Sequence, residues 1–238
     1  MTDTKRKIFV EDQFDSVFTQ KPVLQYEFNT KKMGRKDRKI VQSLLEYGVQ
    51  GKKCLDIGPG TGRWLQFLSK NGADYLGAID ISNESLKRYS LICDKTQKAN
   101  VETDNFDFKS NNFDIVLSIE VLEHLMYPDR YLSEIFRVTK NEGLVLMTIP
   151  NILSLISRIR VIFGLFPVAV ANDKTHVGFY RKKDVVKLLA SYNMRPQFIP
   201  TSISLNPLNR KSWFSIPSIK LLSSLEDSFL FLIRIEKK

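Results

Sequence analysis

The sequence predicts an α/β fold in which helices cover both faces of a mostly parallel β-sheet. From residue 52 to residue 150, short apolar segments alternate with segments that carry apolar residues at helical spacing. That order is typical of parallel strands joined by right-handed crossovers. The segment 113–119 is an almost continuous apolar run, as expected for a strand buried on both faces of the sheet. A glycine-rich turn at 58–62 separates the first strand from the next helix.

Apolar spacing and turn residues predict each element of the first half. Apolar residues at helical spacing predict helices over 38–47, 61–70 and 83–93. Short apolar runs predict strands over 52–57 and 75–79. A strand over 97–102 is predicted mainly because the alternation of elements requires one, since its own residues are poor strand formers.

The second half begins with the strand 113–119 and departs from the alternation after Asn151. Pro128 opens a helix, and the apolar run 143–149 is a strand that Pro150 ends. An amphipathic helix over 152–166 and a loop over 167–174 follow. The remaining predicted elements are a helix over 182–192, a strand near 197–202, a loop with short helical segments over 206–224 and a final strand over 229–235.

Length and composition are typical of a single domain, 1–238, in a reducing compartment. The chain has 238 residues, enough for one α/β domain with a lid. Cys54 and Cys93 lie in predicted regular elements, which favours buried thiols over a disulfide. Residues 1–11 are polar and lack the apolar run of a secretory signal. The apolar stretch 152–171 contains two arginines and a proline, so it is not expected to cross a bilayer, and we expect a cytoplasmic protein.

The net charge of +10 is unevenly distributed. Residues 54–150 carry 10 basic and 14 acidic side chains, whereas residues 151–238 carry 14 basic and 5 acidic ones. The excess positive charge therefore belongs to the half expected to surround a substrate. It favours an anionic small-molecule substrate, nucleic acid or an anionic membrane surface, although a solvated basic face that binds nothing is an equal alternative.

The glycine-rich turn and an acid after the second strand together predict a nucleoside site. The turn reads Gly58-Pro59-Gly60-Thr61-Gly62 and lets a ligand approach backbone N–H groups. Asp80, followed by Ile81, ends the next predicted strand, where a carboxylate can accept hydrogen bonds from both hydroxyls of a ribose. The glycine spacing is G-x-G-x-G, which differs from the G-x-G-x-x-G that holds a dinucleotide.

Four segments resemble the successive motifs of class I S-adenosylmethionine-dependent methyltransferases. They are 55–62, Asp80, 113–125 and Thr148-Ile-Pro-Asn151, and the resemblance runs from about residue 40 to the C-terminus. It implies a Rossmann-like fold with a seven-stranded, mostly parallel sheet and an antiparallel last strand. It also implies a cofactor-binding half, 36–150, and a substrate-side half, 151–238. A helical lid would come from residues 1–35, 151–180 (with its helix 152–166) and 203–224.

The resemblance also assigns the cofactor-binding residues. The cofactor is S-adenosylmethionine, converted to S-adenosylhomocysteine. The turn would hold its methionine end, Asp56 would meet its ammonium group, and Asp80 with Ile81 would hold its ribose. The loop after the third strand would contact its adenine, and Glu120 would lie beside the methionine. The predicted set is Asp56, Gly58, Pro59, Gly60, Thr61, Gly62, Asp80, Ile81, Glu102, Thr103, Asp104 and Glu120.

The chain has only two histidines, and both are candidate catalytic residues. Glu120, Glu123 and His124 are spaced i, i+3, i+4 at the end of the fourth strand, and His176 follows the amphipathic helix. His176 could act as a general base, assisted by His124 and Glu123. The four residues also resemble the divalent-cation sites of ubiquinone-biosynthesis O-methyltransferases and of small-RNA 2′-O-methyltransferases. A metal is possible but not favoured, because similar class I enzymes carry Glu-His-Leu here without one, and His176 could also be a lid residue with no chemical role.

The predicted function is methyl transfer from S-adenosylmethionine to an oxygen of a small hydroxylated acceptor. The resemblance favours a sugar, a polysaccharide precursor or a quinone precursor. One alternative is an RNA 2′-O-methyltransferase that would use residues 210–214, but no RNA-binding module is recognisable and nucleic acid is not favoured. The other is a non-catalytic protein that retains cofactor binding. The helix 152–166 could also contact the inner face of a membrane peripherally, and the oligomeric state stays open.

Overall fold

A seven-stranded sheet forms the centre of the protein. The computed structural model describes residues 33–204, 215–217 and 220–237. The strands of this sheet are β1 (Lys53–Ile57), β2 (Tyr75–Asp80), β3 (Lys95–Lys98), β4 (Phe113–Ile119), β5 (Thr139–Pro150), β6 (Met194–Ile199) and β9 (Ser228–Ile235). The strand order is β3-β2-β1-β4-β5-β9-β6, and β9 is antiparallel to both of its neighbours while the others run parallel. The predicted mostly parallel sheet with an antiparallel last strand is therefore confirmed.

Helices cover both faces of this sheet, as predicted. The helices are α1 (Arg35–Tyr47), α2 (Arg63–Lys70), α3 (Asn83–Tyr89), α4 (Asp129–Val138), α5 (Leu155–Ile162), α6 (Val168–Asn172) and α7 (Lys182–Ala190). Short 3-10 helices span Leu122–His124 and Lys220–Leu225, and β7 (Ser202–Ser204) pairs with β8 (Ser215–Pro217) in a separate hairpin. No helix among the residues described is long and apolar enough to cross a membrane.

Two buried clusters, one on each face of the sheet, make up the core. Alternate residues of β9 belong to different clusters: Phe229, Phe231 and Ile233 pack in one, and Leu230 packs in the other. The same alternation holds in β4, where Val116 and Leu117 face opposite ways. Burial of both faces explains the almost continuous apolar sequence of the central strands.

The strand order places a ligand site at the carboxyl ends of β1 and β4. The chain runs outward from β1 to β2 and β3, then returns past β1 to β4, so the direction of winding reverses between these two strands. In open α/β sheets, ligands bind in the crevice that such a reversal creates. Every predicted site residue before residue 125 lies at or beyond this edge of the sheet.

Several predicted elements differ from the structure. The strand predicted near 197–202 spans Met194–Ile199, and the segment predicted as a loop with short helical segments over 206–224 contains β8 (Ser215–Pro217). The third strand spans 95–98 instead of 97–102, and its residues are only partly buried, so no apolar run marks it. The helix predicted over 152–166 is shorter, Leu155–Ile162. The segment predicted as a loop over 167–174 contains α6. Most of the predicted lid segment 1–35, and residues 210–214, lie outside the described part of the chain.

Candidate active site

The glycine-rich turn needs its glycines for backbone conformation and for space. Gly58, Gly60 and Gly62 have φ values of 63°, 56° and 73°, in the left-handed region that favours glycine. A Cβ atom on Gly62 would lie 2.4 Å from Cε1 of Tyr89. The Tyr89 hydroxyl donates a hydrogen bond to the carbonyl of Gly60, so this buried ring fixes the turn from beneath. Sequence reasoning did not identify Tyr89 as part of the site.

The turn and Asp80 lie side by side. Ile57 pairs with Ile79 across β1 and β2, and the N–H of Gly58 donates to the carbonyl of Ile79 over 2.8 Å. Asp80 is the last residue of β2, is 6% exposed, and accepts a hydrogen bond from the N–H of Ser82 over 2.9 Å. Main-chain N–H groups and a carboxylate are thus brought to the same edge of the sheet, as the nucleoside site requires.

Asp56 is buried beneath this edge with one oxygen unpartnered. It is 1% exposed, and its Oδ2 atom has no hydrogen-bond partner within the described residues. Burial raises the pKa of this carboxyl well above its usual range, and the nearby Asp80 raises it further. A cationic group placed against it would relieve both effects. The ammonium of a methionine moiety is such a group, so these residues fit S-adenosylmethionine.

The loop after β3 lies against the loop that precedes α4. The N–H of Ala99 donates to the carbonyl of Asp80 over 3.0 Å, which places the loop next to the predicted ribose site. Oε1 of Glu102 accepts the N–H groups of Met126 and Tyr127, over 2.6 and 2.7 Å. Thr103 and Asp104 belong to the same turn, where Asp104 Oδ2 accepts the N–H of Asn100. Their predicted contact with adenine stays a prediction.

Glu120 directly follows β4 in a conformation unusual for a glutamate. Its φ is 58°, and backbone strain of this kind is concentrated at functional sites. Its Oε1 atom accepts hydrogen bonds from the Lys36 ammonium, over 3.1 Å, and from the Thr148 hydroxyl, over 2.8 Å. Burial opposes ionisation of Glu120, but Lys36 and Thr148 outweigh it and lower the pKa.

Lys36 reaches this site because α1 is fixed above the sheet edge. Arg63, the first residue of α2 after the glycine turn, makes a two-pronged ion pair with Asp37 over 2.9 and 3.0 Å. Neither Lys36 nor Asp37 was identified from the sequence, where both belong to a basic segment without a motif. Their part in the site is seen only in the structure, where Lys36 contacts Glu120 and Asp37 contacts Arg63.

The two histidines meet beside a buried glutamate. The carbonyl of Glu123 accepts the N–H groups of Val177 and Gly178 over 2.9 and 2.8 Å, which docks the later segment onto the 3-10 helix 122–124. As a result, the His124 and His176 rings lie 4.8 Å apart between centroids. Nε2 of His176 is 4.0 Å from Oε1 of Glu123. The predicted catalytic trio is therefore brought together.

Hydrogen bonds orient both imidazoles. Nδ1 of His176 lies 2.8 Å from the carbonyl oxygen of Ala169, which can only accept, so Nδ1 carries the hydrogen and Nε2 is the basic nitrogen. Nδ1 of His124 contacts the Thr175 hydroxyl over 2.8 Å. Burial lowers the pKa of His124, and the neighbouring His176 lowers it further. His124 is therefore favoured in its neutral form.

Glu123 is the least stabilised ionisable side chain of this cluster. It is 1% exposed, and neither carboxyl oxygen has a hydrogen-bond partner in the part of the chain that the structure describes. Burial and then the charge of Glu120 raise its pKa well above the usual range. One ligand atom from each of Glu123, His124 and His176 lies within 4.8 Å of the others, so these three could hold a metal ion. Glu120, the fourth residue of the predicted metal set, is instead held by Lys36 and Thr148.

The strand order, the glycine turn beside Asp80 and the carboxyl-edge cluster define a class I S-adenosylmethionine-dependent methyltransferase. The comparisons with known proteins agree. A family model described as "Methyltransferase domain" matches residues 30–196, more than half of the chain, and the chain belongs to that family. The protein is a methyltransferase that uses S-adenosylmethionine.

Relatives and solved structures resemble the chain at modest identity. An uncharacterized protein of Methanocaldococcus jannaschii is 38% identical over 117 residues, which are 48% of this chain and 49% of that protein. The ubiquinone biosynthesis O-methyltransferase of Psychrobacter cryohalolentis is 24% identical over 187 residues, covering 73% of this chain and 70% of that one. The chain thus spans about half the length of the first relative.

Structural neighbours share the fold. A SAM-dependent methyltransferase from Archaeoglobus fulgidus superposes with a TM-score of 0.59 at 17% identity, covering 84% of this chain and 94% of that chain. The 1,6-didemethyltoxoflavin-N1-methyltransferase of Burkholderia thailandensis, solved with 1,6-didemethyltoxoflavin and S-adenosylhomocysteine, gives a TM-score of 0.61 at 13% identity, covering 100% of this chain and 92% of that chain.

Proposed function

We propose that this protein transfers a methyl group from S-adenosylmethionine to a hydroxyl oxygen of a small acceptor. The acceptor would be a sugar, a polysaccharide precursor or a quinone precursor. The observation that carries the proposal is the orientation of His176, whose basic Nε2 atom is directed away from its Ala169 hydrogen bond and towards Glu123. The relatives named as ubiquinone biosynthesis O-methyltransferases also support an oxygen acceptor.

His176 would remove the proton from the acceptor hydroxyl. When bound, the cofactor supplies an electrophilic methyl group on a sulfonium, so the chain must position the acceptor and take up one proton. The Ala169 carbonyl fixes the tautomer that leaves Nε2 available as a base. The Asp173 carboxylate, 3.9 Å from Nε2, would stabilise the imidazolium that forms, and the Glu123 carboxyl lies 4.0 Å from the same atom.

The cofactor would be held by the elements that meet at the sheet edge. Asp56 would accept its ammonium, Asp80 would accept the ribose hydroxyls, and Glu102 with Thr103 and Asp104 would line the adenine side. Thr61, within the glycine turn, and Ile81, next to Asp80, would complete the lining. In this proposal residues 36–150 form the cofactor-binding half of the domain and residues 151–238 form its substrate-side half.

Charge and exposed apolar groups near the histidines support an anionic acceptor with a carbon ring or chain. Residues 151–238 carry 14 basic and 5 acidic side chains. Val177 and Phe179, on either side of the docked Gly178, are 44% and 47% exposed. An acceptor that is carbon-rich and negatively charged would match both features.

Cofactor binding and methyl transfer test the proposal separately. Calorimetry with S-adenosylmethionine should show binding. Incubation with methyl-labelled cofactor should label phenolic or sugar acceptors, and transfer only to RNA would instead favour the 2′-O-methyltransferase alternative. Binding without transfer to any acceptor class would favour a non-catalytic protein.

His176→Gln tests the base. Loss of a positioned general base should reduce turnover by about 100-fold or more, with unchanged affinity for the cofactor. The matched control is Lys174→Gln, an exposed neighbour on the same segment, which should keep wild-type turnover. Wild-type activity in the His176→Gln enzyme would contradict this role.

A chelator decides between the base and the metal cluster. With His176 as a base, purified enzyme treated with ethylenediaminetetraacetic acid should keep its activity. Loss of activity that a divalent cation restores would contradict the metal-free proposal, and would assign Glu123, His124 and His176 to metal binding.

A further inference from the structure

Six consecutive exposed residues, 161–166, form an apolar tip at the end of α5. The tip comprises Val161, Ile162, Phe163, Gly164, Leu165 and Phe166. Its five apolar side chains are 55%, 80%, 76%, 51% and 73% exposed, in that order. Single exposed apolar residues are common on protein surfaces, but a contiguous set of this size marks an interaction site.

The exposed set differs from the amphipathic helix that the sequence predicts. Within α5 the side chains of Ile156 and Ser157 are buried, so the first turns of the helix are part of the protein body. The tip is a compact turn beyond them. Gly164 has a φ of 71°, and Nε of Arg160 donates to the carbonyl of Phe166 over 2.8 Å, which closes the turn.

The charge around the tip selects one kind of partner. Arg158 and Arg160 precede it, and no acidic residue occurs between Glu142 and Asp173 in the sequence. An apolar protrusion whose own segment of the chain, 143–172, contains two arginines and no acidic residue is complementary to a bilayer with anionic head groups, where the side chains enter the head-group boundary and the arginines stay at its surface.

The tip is also connected to the proposed base. The N–H of Val168, two residues after the tip, donates to the Ser157 hydroxyl of α5 over 3.2 Å. Val168 begins α6, and the carbonyl of Ala169 in that helix accepts the hydrogen bond from Nδ1 of His176. A contact that restrains the tip would therefore restrain the helix that orients His176.

We propose that the tip, residues 161–166, docks on an anionic membrane surface and that docking orders α6 and the His176 that it holds. The inference deepens the proposed function, because it places the acceptor in, or at, a lipid layer. An amphiphilic acceptor with a polar hydroxylated head would then be presented where His176 is oriented.

Vesicle co-sedimentation of the full chain tests the docking. Wild-type protein should bind vesicles of phosphatidylcholine mixed with phosphatidylglycerol, and binding should weaken when salt is added or when phosphatidylglycerol is omitted. The double variant Ile162→Ser with Phe163→Ser should bind at least about tenfold more weakly. The control Leu91→Ser removes an apolar side chain that is 87% exposed in the turn after α3, and should bind as the wild type does.

Hydrogen exchange tests the connection to the site. Backbone amides of 168–178 should exchange more slowly when the mixed vesicles are added to the wild-type protein, and should not respond in the tip variant. Absence of vesicle binding by the wild type would overturn the proposal. Light scattering provides a second check. A dimeric wild type and a monomeric Ile162→Ser, Phe163→Ser double variant (the tip variant) would also overturn the proposal, and would assign the tip to contact with a second copy of the chain.

Failure of this inference can be told apart from failure of the proposed function. Calorimetry with S-adenosylmethionine needs no membrane, and the tip variant should bind the cofactor as tightly as the wild type. A protein that binds the cofactor but no vesicle refutes the docking alone.

Discussion

Substituting Asp56 with asparagine should make the protein more stable and its cofactor site weaker. The carboxylate is 1% exposed, has Oδ2 unpartnered within the described residues and lies close enough to Asp80 for the two charges to repel. A buried acceptor left unsatisfied costs about 1–3 kcal/mol. Removing the charge should recover about 1 kcal/mol of this, which raises the melting temperature by roughly 2–4 °C for a chain of this size.

The gain in stability of the Asp56→Asn variant should be larger at high pH than at low pH. The pKa of Asp56 in the folded protein lies above its value of about 3.9 in an unfolded chain. Its contribution to stability is therefore present below about pH 4 and is lost as the pH rises through the folded-state pKa. Asparagine does not titrate, so the advantage of the variant should be clear at about pH 8 and should shrink towards about pH 4.

The same substitution should weaken S-adenosylmethionine binding. A hydrogen bond to a charged group contributes about 1.5–3 kcal/mol, so the dissociation constant should rise about 10- to 150-fold. Thermal melting across pH and calorimetry with the cofactor measure the two effects. An Asp56→Asn protein that is less stable than the wild type at every pH, and binds the cofactor equally well, would refute the reasoning.

Asp114→Asn is the matched control, because this substitution is expected to lower the stability of the folded protein, whereas Asp56→Asn is expected to raise it. Asp114 accepts hydrogen bonds from Lys140, over 2.9 Å, and from the N–H of Lys53, over 2.9 Å. Burial opposes ionisation, but these two donors lower the pKa of Asp114. The stabilisation that the Asp114 carboxylate provides is present above its pKa in the unfolded chain and is lost as the pH falls through its pKa in the folded protein. Near neutral pH the Asp114→Asn variant should therefore be less stable than the wild type by about 1 kcal/mol, and this difference should shrink in acid.

Further predictions concern the ribose contact and the turn. Asp80→Ala should weaken cofactor binding by about 1–3 kcal/mol in calorimetry, and unchanged affinity would contradict the ribose assignment. Gly62→Ala should lower the melting temperature by roughly 4 °C or more, because the new methyl group meets Tyr89 at 2.4 Å. Gly164→Ala has the same kind of backbone strain, with a φ of 71° and no atom of the described residues within 4 Å of the new methyl group. An equal loss in both variants would therefore show that the Tyr89 contact is unimportant.

The sequence predicted the parts of the fold that apolar patterning encodes. The strand 113–119 and the last strand could be predicted because both faces of each are buried, which requires apolar residues along their length. The strand β3 could not be placed accurately, because an edge strand such as Lys95–Lys98 is only partly buried and its sequence is polar. The short helix α6 was missed because five residues are too few to show a period.

The site could be predicted only where a motif links sequence to position. The glycine turn, Asp80 and the Glu120–His124 segment follow strands directly, so the topology alone brings them together. The meeting of His176 with Glu123 depends on two backbone hydrogen bonds between segments more than 50 residues apart, and was anticipated only through resemblance. Lys36 and Tyr89 have no sequence signal, since a lysine in a basic segment and a tyrosine in a helix are ordinary.

The carboxylate of Glu102 connects the turn after β3 to the segment that precedes α4. One oxygen accepts the N–H groups of both Met126 and Tyr127, which directly follow the segment of His124 and Leu125. A ligand that displaced the 100–104 turn would therefore also displace the main chain next to His124, one of the two histidines of the predicted catalytic trio.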